Sequence, residues 1–296
     1  MKKQLKSDLL LVVVTIFWGT SYYLTDISLS DLPPMCLNAF RFLSAFLMIG
    51  LFLNKNLRRL NKETIKYSLL VGVALSGTYI FYGYGILKTS LTNAAFICSI
   101  PVVFTPIFSY IFERKVVKKK MLFCILICIV GLAFLTLNDG LQPSIGDIIC
   151  LGVPVCYALD ITLTDKAVRC AKVDALGLGI CTLGMVGIIT LVISLLLEQP
   201  HLPTRLETWI SSLALGFFCS GFAFVIQTIQ QKYTTPNHVG LIFTLEPIFA
   251  TIIAIIFTNE VVTNQKILGM VLMISSLILM EIDLPVKKHI KNSCGK

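Results

Sequence analysis

Charge is scarce in this sequence. Only 14% of its 296 residues are charged, whereas 56% are hydrophobic and the mean hydropathy is +0.84. A surface in contact with water needs more charge than this, so the composition excludes an ordinary soluble domain and predicts an integral membrane protein. The start, MKKQLKSDLLLVVVTIF, has the basic head and apolar stretch of a secretory signal, but no small-residue cleavage motif follows. We therefore expect it to remain as the first span.

Histidine and the usual motifs of enzyme chemistry are also scarce. The three histidines, at positions 201, 238 and 289, lie far apart, and the chain has no CxxC pair and no GxxxxGK[ST] phosphate loop. These absences argue against a metal centre, a catalytic constellation and ATP hydrolysis. Most of the ten cysteines fall inside apolar runs, which is typical of small core residues. We expect no metal, no cofactor and no enzymatic activity.

Long apolar runs dominate what remains. A helix needs about 20 mostly apolar residues to cross a bilayer, and the chain offers ten such segments between polar breaks. The sequence therefore predicts an all-α membrane protein with ten transmembrane helices. The segments are 9–27, 34–53, 67–87, 92–112, 121–137, 148–165, 174–197, 209–231, 236–258 and 266–284.

The basic residues predict how these helices are oriented. With the N-terminus in the cytoplasm, 21 of the 25 Lys and Arg residues fall on the cytoplasmic side, three fall on the other side, and Arg41 lies within a span. The positive-inside rule therefore predicts that both termini are cytoplasmic. The net charge of +9 comes from short loops such as ERKVVKKK, which set topology and meet anionic lipid. No extramembrane stretch is long enough for a nucleic-acid-binding module.

An internal repeat divides the chain into two halves. The triplet Leu-Thr-Asp at 24–26 returns at 163–165, 139 positions later, where it faces the Lys-rich side. Spans three and eight add identities at an offset of 144, and the halves are predicted to be 1–140 and 141–296. Because each half has five spans, an odd number, the two must enter the membrane from opposite faces. Inverted repeats of this kind are a recurrent design of secondary transporters. The paired identities of spans three and eight are Ser68/Ser212, Leu69/Leu213, Gly72/Gly216, Ser76/Ser220, Gly77/Gly221 and Lys88/Lys232.

Four segments resemble a known family. FWGTSYYLT, NAFRFLSAFLM, TSLTNAAFICSIPVVFTPIFSYIFERKVV and VGLIFTLEPIFATIIAIIFTNEVV are similar to the EamA family of the drug/metabolite transporter (DMT) superfamily. The resemblance covers essentially the whole chain. It implies a ten-helix bundle in the cell inner membrane that exports or imports small organic solutes such as amino acids, metabolites or drugs. Of the two directions we favour export. The small multidrug exporters of the same superfamily differ in having four spans and a membrane-embedded acid in the first.

Polar and aromatic side chains within the spans are the candidates for substrate binding. Such groups are unfavourable in lipid and face the interior of a helix bundle. Trp18 and Tyr22 share one helical face of span one, and Tyr157 and Asp160 form the equivalent stripe on span six. The predicted substrate-binding residues are Trp18, Tyr22, Tyr79, Tyr82, Tyr157, Asp160, Gln227 and Glu246.

Two interpretations are open for the buried acids. Glu246 precedes Pro247, which can kink span nine and open a polar pocket. Glu246 either pairs with a buried partner such as Arg41 and holds the halves together, or binds a cationic group or a proton. Asp160 is either a cavity-facing acid solvated from the cytoplasm or a residue that recognises an amine.

The leading prediction is a secondary transporter that works by alternating access. The alternatives are an intramembrane lipid-modifying enzyme, for which no nucleophile–base pair or metal cluster is visible, and a membrane scaffold, which leaves the buried acids unexplained. The expected partners are a small-molecule substrate and the lipid bilayer. A monomer with two five-span halves is sufficient for a pathway, and the small-residue helix faces are compatible with a homodimer.

Overall fold

A computed structural model describes residues 2–52, 60–89, 96–114, 117–136, 144–258 and 263–281. Every regular element in these ranges is a helix. The α-helices are α1 (Lys2–Leu29), α2 (Pro34–Phe52), α3 (Lys62–Gly85), α4 (Pro101–Glu113), α5 (Lys119–Thr136), α6 (Ile145–Cys150), α7 (Gly152–Arg169), α8 (Ala175–Leu197), α9 (Leu206–Ala214), α10 (Ala223–Gln231), α11 (Pro236–Phe243), α12 (Glu246–Thr258) and α13 (Asn264–Glu281). A 3₁₀ turn (Ile86–Lys88) follows α3, and a π-helix (Leu215–Phe222) joins α9 to α10.

The helices follow from the apolar runs, because a segment in lipid must satisfy its backbone hydrogen bonds internally. Seven helical segments of the described ranges are long and apolar enough to cross a membrane. The apolar helices Phe96–Phe112 and Asn264–Met280 are shorter, and α5 is a further apolar helix. The prediction of a helical, multi-pass membrane protein is confirmed, and the count of ten spans remains a prediction. The seven are Lys3–Leu29, Pro34–Phe52, Lys62–Lys88, Ile145–Arg169, Ala175–Leu197, Leu206–Gln231 and Pro236–Phe257.

Proline interrupts two of the predicted spans. Helix α6 ends at Cys150 and α7 begins at Gly152, because Pro154 has no N–H to donate to the Cys150 carbonyl. In the same way α11 ends at Phe243 and α12 begins at Glu246, since Pro247 cannot donate to the Phe243 carbonyl. Both breaks lie inside segments that remain long and apolar enough to cross a membrane, Ile145–Arg169 and Pro236–Phe257, and the second lies where a kink was expected at Pro247.

The bundle has two ends, which we name by a residue in each. At the Ser30 end, the Glu198 carboxylate accepts hydrogen bonds from the backbone N–H groups of Met35 (3.0 Å) and Cys36 (2.9 Å). At the Lys172 end, the Asn61 side chain donates to the Lys172 carbonyl. Successive spans run in opposite directions between these two ends. The Ser30 end therefore contains residues 29–34, 86–89 and 198–206. The Lys172 end contains residues 60–62, 170–175 and 231–236.

Candidate functional site

A cavity enters the bundle from the Ser30 end. It encloses about 890 Å³ of space free of atoms, including its opening to solvent. Its wall reaches from helix-end residues at the Ser30 end down to residues in the middle of the bundle. The lining consists of Trp18, Ser21, Tyr22, Thr25, Leu29, Pro34, Leu37, Asn38, Arg41, Leu75, Thr78, Tyr79, Tyr82, Gly83, Ile86, Cys98, Val153, Tyr157, Phe224 and Glu246.

Arg41 supplies the cavity with a fixed positive charge. Its side chain extends from α2 and is only 5% exposed. The Nε atom donates to the Ser220 hydroxyl, and Nη2 donates to the Cys219 carbonyl at 3.5 Å. The guanidinium carbon lies 5.4 Å from the ring centroids of both Phe42 and Tyr79. Hydrogen bonds and two aromatic faces therefore hold the guanidinium in place without a carboxylate.

The π-helix explains where these acceptors come from. A π-turn is wider than an α-turn and leaves carbonyl oxygens outside the regular i→i−4 pattern. Here the Cys219 carbonyl accepts from the Trp18 indole N–H at 3.0 Å as well as from Arg41. Residues of α1 and α2 are thus anchored to the same turn of Leu215–Phe222.

Glu246 supplies the negative charge. It is the first residue of α12, just after the break at Thr244 and Leu245, and it is partly exposed to the cavity. The Tyr22 side chain interacts with the Glu246 carboxylate.

The predicted direct pair between Arg41 and Glu246 is not formed. Arg41 and Glu246 line the same cavity, but the hydrogen bonds of Arg41 go to Ser220 and Cys219 instead. The physical reason is that the π-turn draws Nε and Nη2 of Arg41 toward itself, and α12 holds Glu246 on another wall. Two opposite charges therefore face one cavity without neutralising each other by contact.

Four aromatic rings close the bottom of the cavity, and we call them the aromatic floor: Trp18, Tyr157, Phe224 and Phe243. The Trp18 ring centroid lies 5.9 Å from that of Tyr157, 5.2 Å from Phe224 and 4.7 Å from Phe243. Tyr157 stacks on Phe243 at 5.9 Å. The rings come from α1, α7, α10 and α11, so the floor depends on the mutual position of four helices.

Two predicted site residues lie outside the cavity. Asp160 and Gln227 do not contribute to its lining, and each is only 2% exposed. They lie one helical turn past Tyr157 and Phe224, toward the Lys172 end, and Gln227 Nε2 donates to Asp160 Oδ2 at 3.4 Å. Asp160 is therefore neither solvated from the Lys172 end nor open to the cavity in this structure. The aromatic floor separates it from the cavity.

The other seven predicted residues meet in the cavity. They are Trp18, Tyr22, Arg41, Tyr79, Tyr82, Tyr157 and Glu246.

Several lining residues escaped the sequence prediction. Asn38 lies three residues before Arg41, on the same helical face of α2, and this spacing is a signal that would have found it. Thr25 and Thr78 are small and polar, and such residues are equally typical of helix packing. Ser220, which holds Arg41, is not among the predicted substrate-binding residues. Within the described ranges, no cluster of three or more His, Cys, Asp or Glu side chains could hold a metal ion.

Fold and site together define a class of protein: a helical, multi-pass membrane protein whose bundle encloses a cavity with two separate charges. Comparison with known proteins then identifies the family. The profile of the EamA-like transporter family matches residues 5–137 and again residues 144–282, and the chain belongs to this family. The resemblance seen in the sequence is confirmed.

Individual relatives agree with this assignment. An uncharacterised transporter of Archaeoglobus fulgidus is 26% identical over 287 residues, which cover 95% of this chain and 87% of that protein. The uncharacterised transporter YyaM of Bacillus subtilis is 24% identical over 286 residues, 92% of each chain. A solved structure at 16% identity has a TM-score of 0.78 over 93% of this chain and 96% of that chain, which shows a shared fold. The two relatives are named as transporters, not as enzymes.

Proposed function

We propose that the protein is a secondary transporter that carries small organic solutes across the membrane by alternating access, with the cavity as its solute site. The observation that carries the proposal is the pair of charges, Arg41 and Glu246, that line one aromatic cavity without forming an ion pair. Buried charges in membrane helices are unfavourable unless they are paired or serve a function. A solute that carries one positive and one negative group would pair with both residues, which explains why Arg41 and Glu246 are kept apart from each other.

Two inverted repeats, 1–140 and 141–296, are part of this proposal. The two separate matches of one family profile, at residues 5–137 and 144–282, support them. The helix packing supports them as well, because α1 of the first half packs on α10 and α12, whereas α7 of the second half packs on α3 and α4. In terms of the predicted spans, span one contacts spans eight and nine, and span six contacts spans three and four. Such reciprocal packing is what alternation between two mirrored states requires.

The charge distribution supports an orientation. Most Lys and Arg residues belong to the loops and termini of the Lys172 end. We therefore place the Lys172 end and both termini in the cytoplasm of a cell with the protein in its inner membrane. The cavity then opens to the outside, and export, the direction we favour, requires the Lys172 half to open in turn.

The cavity indicates the chemistry of the solute. A guanidinium binds a carboxylate, and a carboxylate next to tyrosine hydroxyls binds an ammonium group. The remaining wall is aromatic and apolar, which suits a hydrophobic or aromatic body. Within the wider group of amino acids, metabolites and drugs, the site therefore favours zwitterionic amino acids with such side chains.

Counterflow in proteoliposomes tests this assignment. Vesicles with the purified full chain are loaded with an unlabelled probe, and uptake of the same labelled probe is measured. The probes are L-phenylalanine, phenethylamine and 3-phenylpropionate, which share an aromatic body and carry both charges, only the ammonium or only the carboxylate. We expect exchange of phenylalanine to exceed that of either analogue. Exchange of phenethylamine alone, or of none of the three, contradicts the zwitterion assignment.

Variants connect the exchange to the two charges. A hydrogen bond to a charged group contributes about 1.5–3 kcal/mol, so Arg41→Gln and Glu246→Gln should each weaken phenylalanine binding by roughly tenfold to a hundredfold. Glu207→Gln, at an exposed acid of α9, is the matched control and should exchange like the wild type. Equal affinities in the wild type and all three variants would show that neither Arg41 nor Glu246 binds the solute.

A second measurement tests transport without a chosen probe. Mass spectrometry compares the medium and extracts of cells with the wild type, with Glu246→Gln at matched membrane levels and with an empty vector. We expect one solute class to move between the pools only with the wild type. A change in lipid composition with no solute movement would favour a lipid-modifying enzyme instead.

A further inference from the structure

A second polar site lies on the Lys172 side of the aromatic floor. It consists of Asp160 on α7 and Gln227 on α10, both 2% exposed. The site is outside the solute cavity, and nothing in the solute binding described above uses it. Its one ionisable group is an acid buried in the middle of a membrane bundle, a position that is unfavourable and usually functional.

The hydrogen bonds of this site are incomplete. Gln227 Nε2 donates one long bond, 3.4 Å, to Asp160 Oδ2. In the described part of the chain, the Gln227 Oε1 atom and the adjacent Tyr157 hydroxyl have no hydrogen-bond partner. Buried polar atoms are satisfied in the great majority of cases, so an acceptor left open beside a carboxyl group indicates a missing donor or cation.

A proton completes the arrangement. A protonated carboxyl can donate its O–H to an amide oxygen while it accepts from the amide N–H, which satisfies Gln227 Oε1 and keeps the existing bond to Asp160. A metal cation would need about six oxygen ligands at short distance. The site offers the oxygens of only three side chains, and the described residues hold no metal-binding cluster.

The surrounding groups do not supply a fixed counter-charge. Helix α3 presents Tyr79 to Asp160, α7 itself presents Tyr157, and α10 presents Gln227. The basic residue Arg169 of α7 lies further toward the Lys172 end and is paired with Asp165. From α4, α6 and α11, the described side chains contribute no charge that acts on Asp160.

We propose that Asp160, together with the Gln227 amide, is a proton-binding site loaded from the Lys172 side, and that closure of the Lys172 half around Asp160 requires the proton. The proton site itself does not depend on the proposed transport function; only the link between proton binding and closure rests on it. The carboxylate takes the proton from water when the Lys172 half is open and returns it to water when that half opens again. Ionised Asp160 keeps the half open, because the acid is only 2% exposed in the closed bundle and no described side chain brings a cation to it.

The internal repeat gives independent support. At the offset of 139, Asp160 corresponds to Ser21, and at the offset of 144, Gln227 corresponds to Gly83. Ser21 and Gly83 both line the open cavity of the Ser30 half. In a state that mirrors this one, Asp160 and Gln227 therefore line a cavity open to the Lys172 side.

Infrared spectroscopy of the full chain in nanodiscs tests the proton site without any solute. We expect wild-type protein to show the C=O band of a protonated carboxyl near neutral pH and to lose it on alkalinisation. Asp160→Asn, an isosteric change that keeps a partner for Gln227, should lack this band. Asp26→Asn, at an exposed acid of α1, should retain the band. Glu246→Gln shows how much of the band, if any, comes from the acid in the cavity. A band unchanged by Asp160→Asn overturns the proposal.

Counterflow of L-phenylalanine tests the link to closure. With pH raised only on the Lys172 side, wild-type exchange should fall by about tenfold per pH unit beyond the midpoint, the slope of a single-proton equilibrium. The exchange that Asp160→Asn retains should not depend on that pH. Exchange with the same pH slope in both proteins, or a slope that follows sodium instead of pH, overturns the proposal. If wild-type protein exchanges no probe, the proposed solute assignment fails, and the infrared difference still decides the proton site.

Discussion

At the scale of single residues, the cavity is defined by how each charge is held. Arg41 is held by Ser220, Cys219 and two aromatic rings, whereas Glu246 stands at the start of α12 and interacts with Tyr22. Neither depends on direct contact with the other. If the proposed solute enters between two charges that are held independently, both stay in place, so the proposed site is organised in advance for binding.

Asp31 holds the connection between α8 and α9 at the Ser30 end. Its carboxylate accepts from Thr204 N–H at 2.8 Å, from the Thr204 hydroxyl at 2.6 Å and from Arg205 N–H at 3.4 Å. The hydrogen bonds from Thr204 lower the pKa of Asp31 from 3.8 to about 2. Because the folded pKa is depressed, the stabilisation is complete above pH 3.8 and is lost as pH falls through about 2.

We therefore expect Asp31→Asn to increase proteolysis of residues 199–205 at neutral pH, since the amide cannot accept all three bonds. Between pH 3.8 and about 2, wild-type protein should become as sensitive as the variant, whereas the variant should change little in this window. Limited proteolysis with an acid-active protease measures both, and Asp26→Asn is the control. A wild-type connection that stays resistant throughout would contradict the prediction.

At the scale of elements, two features set the helix positions: the π-helix and contacts between glycines. The π-helix presents Ser220 and the Cys219 carbonyl to α1 and α2. Helices α5 and α13 approach so closely at Gly131 and Gly269 that a Cβ on Gly269 would lie 2.6 Å from the Gly131 carbonyl oxygen. Small residues permit this close packing, which drives helix association in lipid.

Ser220 is a positioning residue for Arg41. Ser220→Ala removes the acceptor of Arg41 Nε, and we expect KM for phenylalanine counterflow to rise about fivefold, which corresponds to roughly 1 kcal/mol for one hydrogen bond. The maximal rate should change little, because the variant alters binding geometry and not the helix contacts. Ser275→Ala, at an exposed serine of α13, is the control. A lower maximal rate with unchanged KM would assign Ser220 to the helix framework instead.

The contact of α5 with α13 predicts a stability effect that is separate from binding. Gly269→Leu places a side chain against the Gly131 and Leu135 backbone, and overpacking of this kind costs about 1–3 kcal/mol. Thermal unfolding in detergent should show a lower midpoint, while KM of the surviving protein stays near the wild-type value because neither helix lines the cavity. Leu268→Ala, next to it but exposed, should leave the midpoint nearly unchanged. An unaltered midpoint in Gly269→Leu would show that the helices separate easily.

At the scale of the whole molecule, one half of the pathway is open and the other is closed. The cavity reaches the Ser30 end, whereas the Lys172 half is sealed by the aromatic floor and by polar contacts below it. Arg169 forms a bidentate pair with Asp165, 2.7 Å for each bond, and donates to the Thr234 carbonyl at 2.7 Å. These bonds tie α7 to the connection that follows α10.

Arg169→Gln should shift the protein toward the state with an open Lys172 half. The neutral amide keeps none of the bidentate geometry and leaves Asp165, which is 1% exposed, without this cation. Hydrogen exchange of residues 223–236, measured by mass spectrometry in nanodiscs, should accelerate in the variant. Arg205→Gln, at an exposed arginine of the Ser30 end, is the control. Equal exchange in both variants would mean that this pair does not close the Lys172 half.

Much of this site could be predicted from local patterns, because seven of the nine candidate residues line one cavity. Helical periodicity places Trp18 and Tyr22 on one face of α1, and the low polarity of lipid turns such faces inward. The partners could not be predicted. Ser220 reaches Arg41 because a π-turn shifts the register of its helix, and four rings from four helices separate Asp160 from the cavity.

The sequence by itself determined that the protein is a helical membrane protein of the EamA-like family with buried charges at known depths. Composition, apolar run length and the family motifs are local properties of the chain, so no tertiary contact is needed to read them. The tertiary structure alone decided which charges share a space. Whether Arg41 meets Glu246 or Ser220, and whether Asp160 faces solute or a closed pocket, depends on distances between helices that only packing sets.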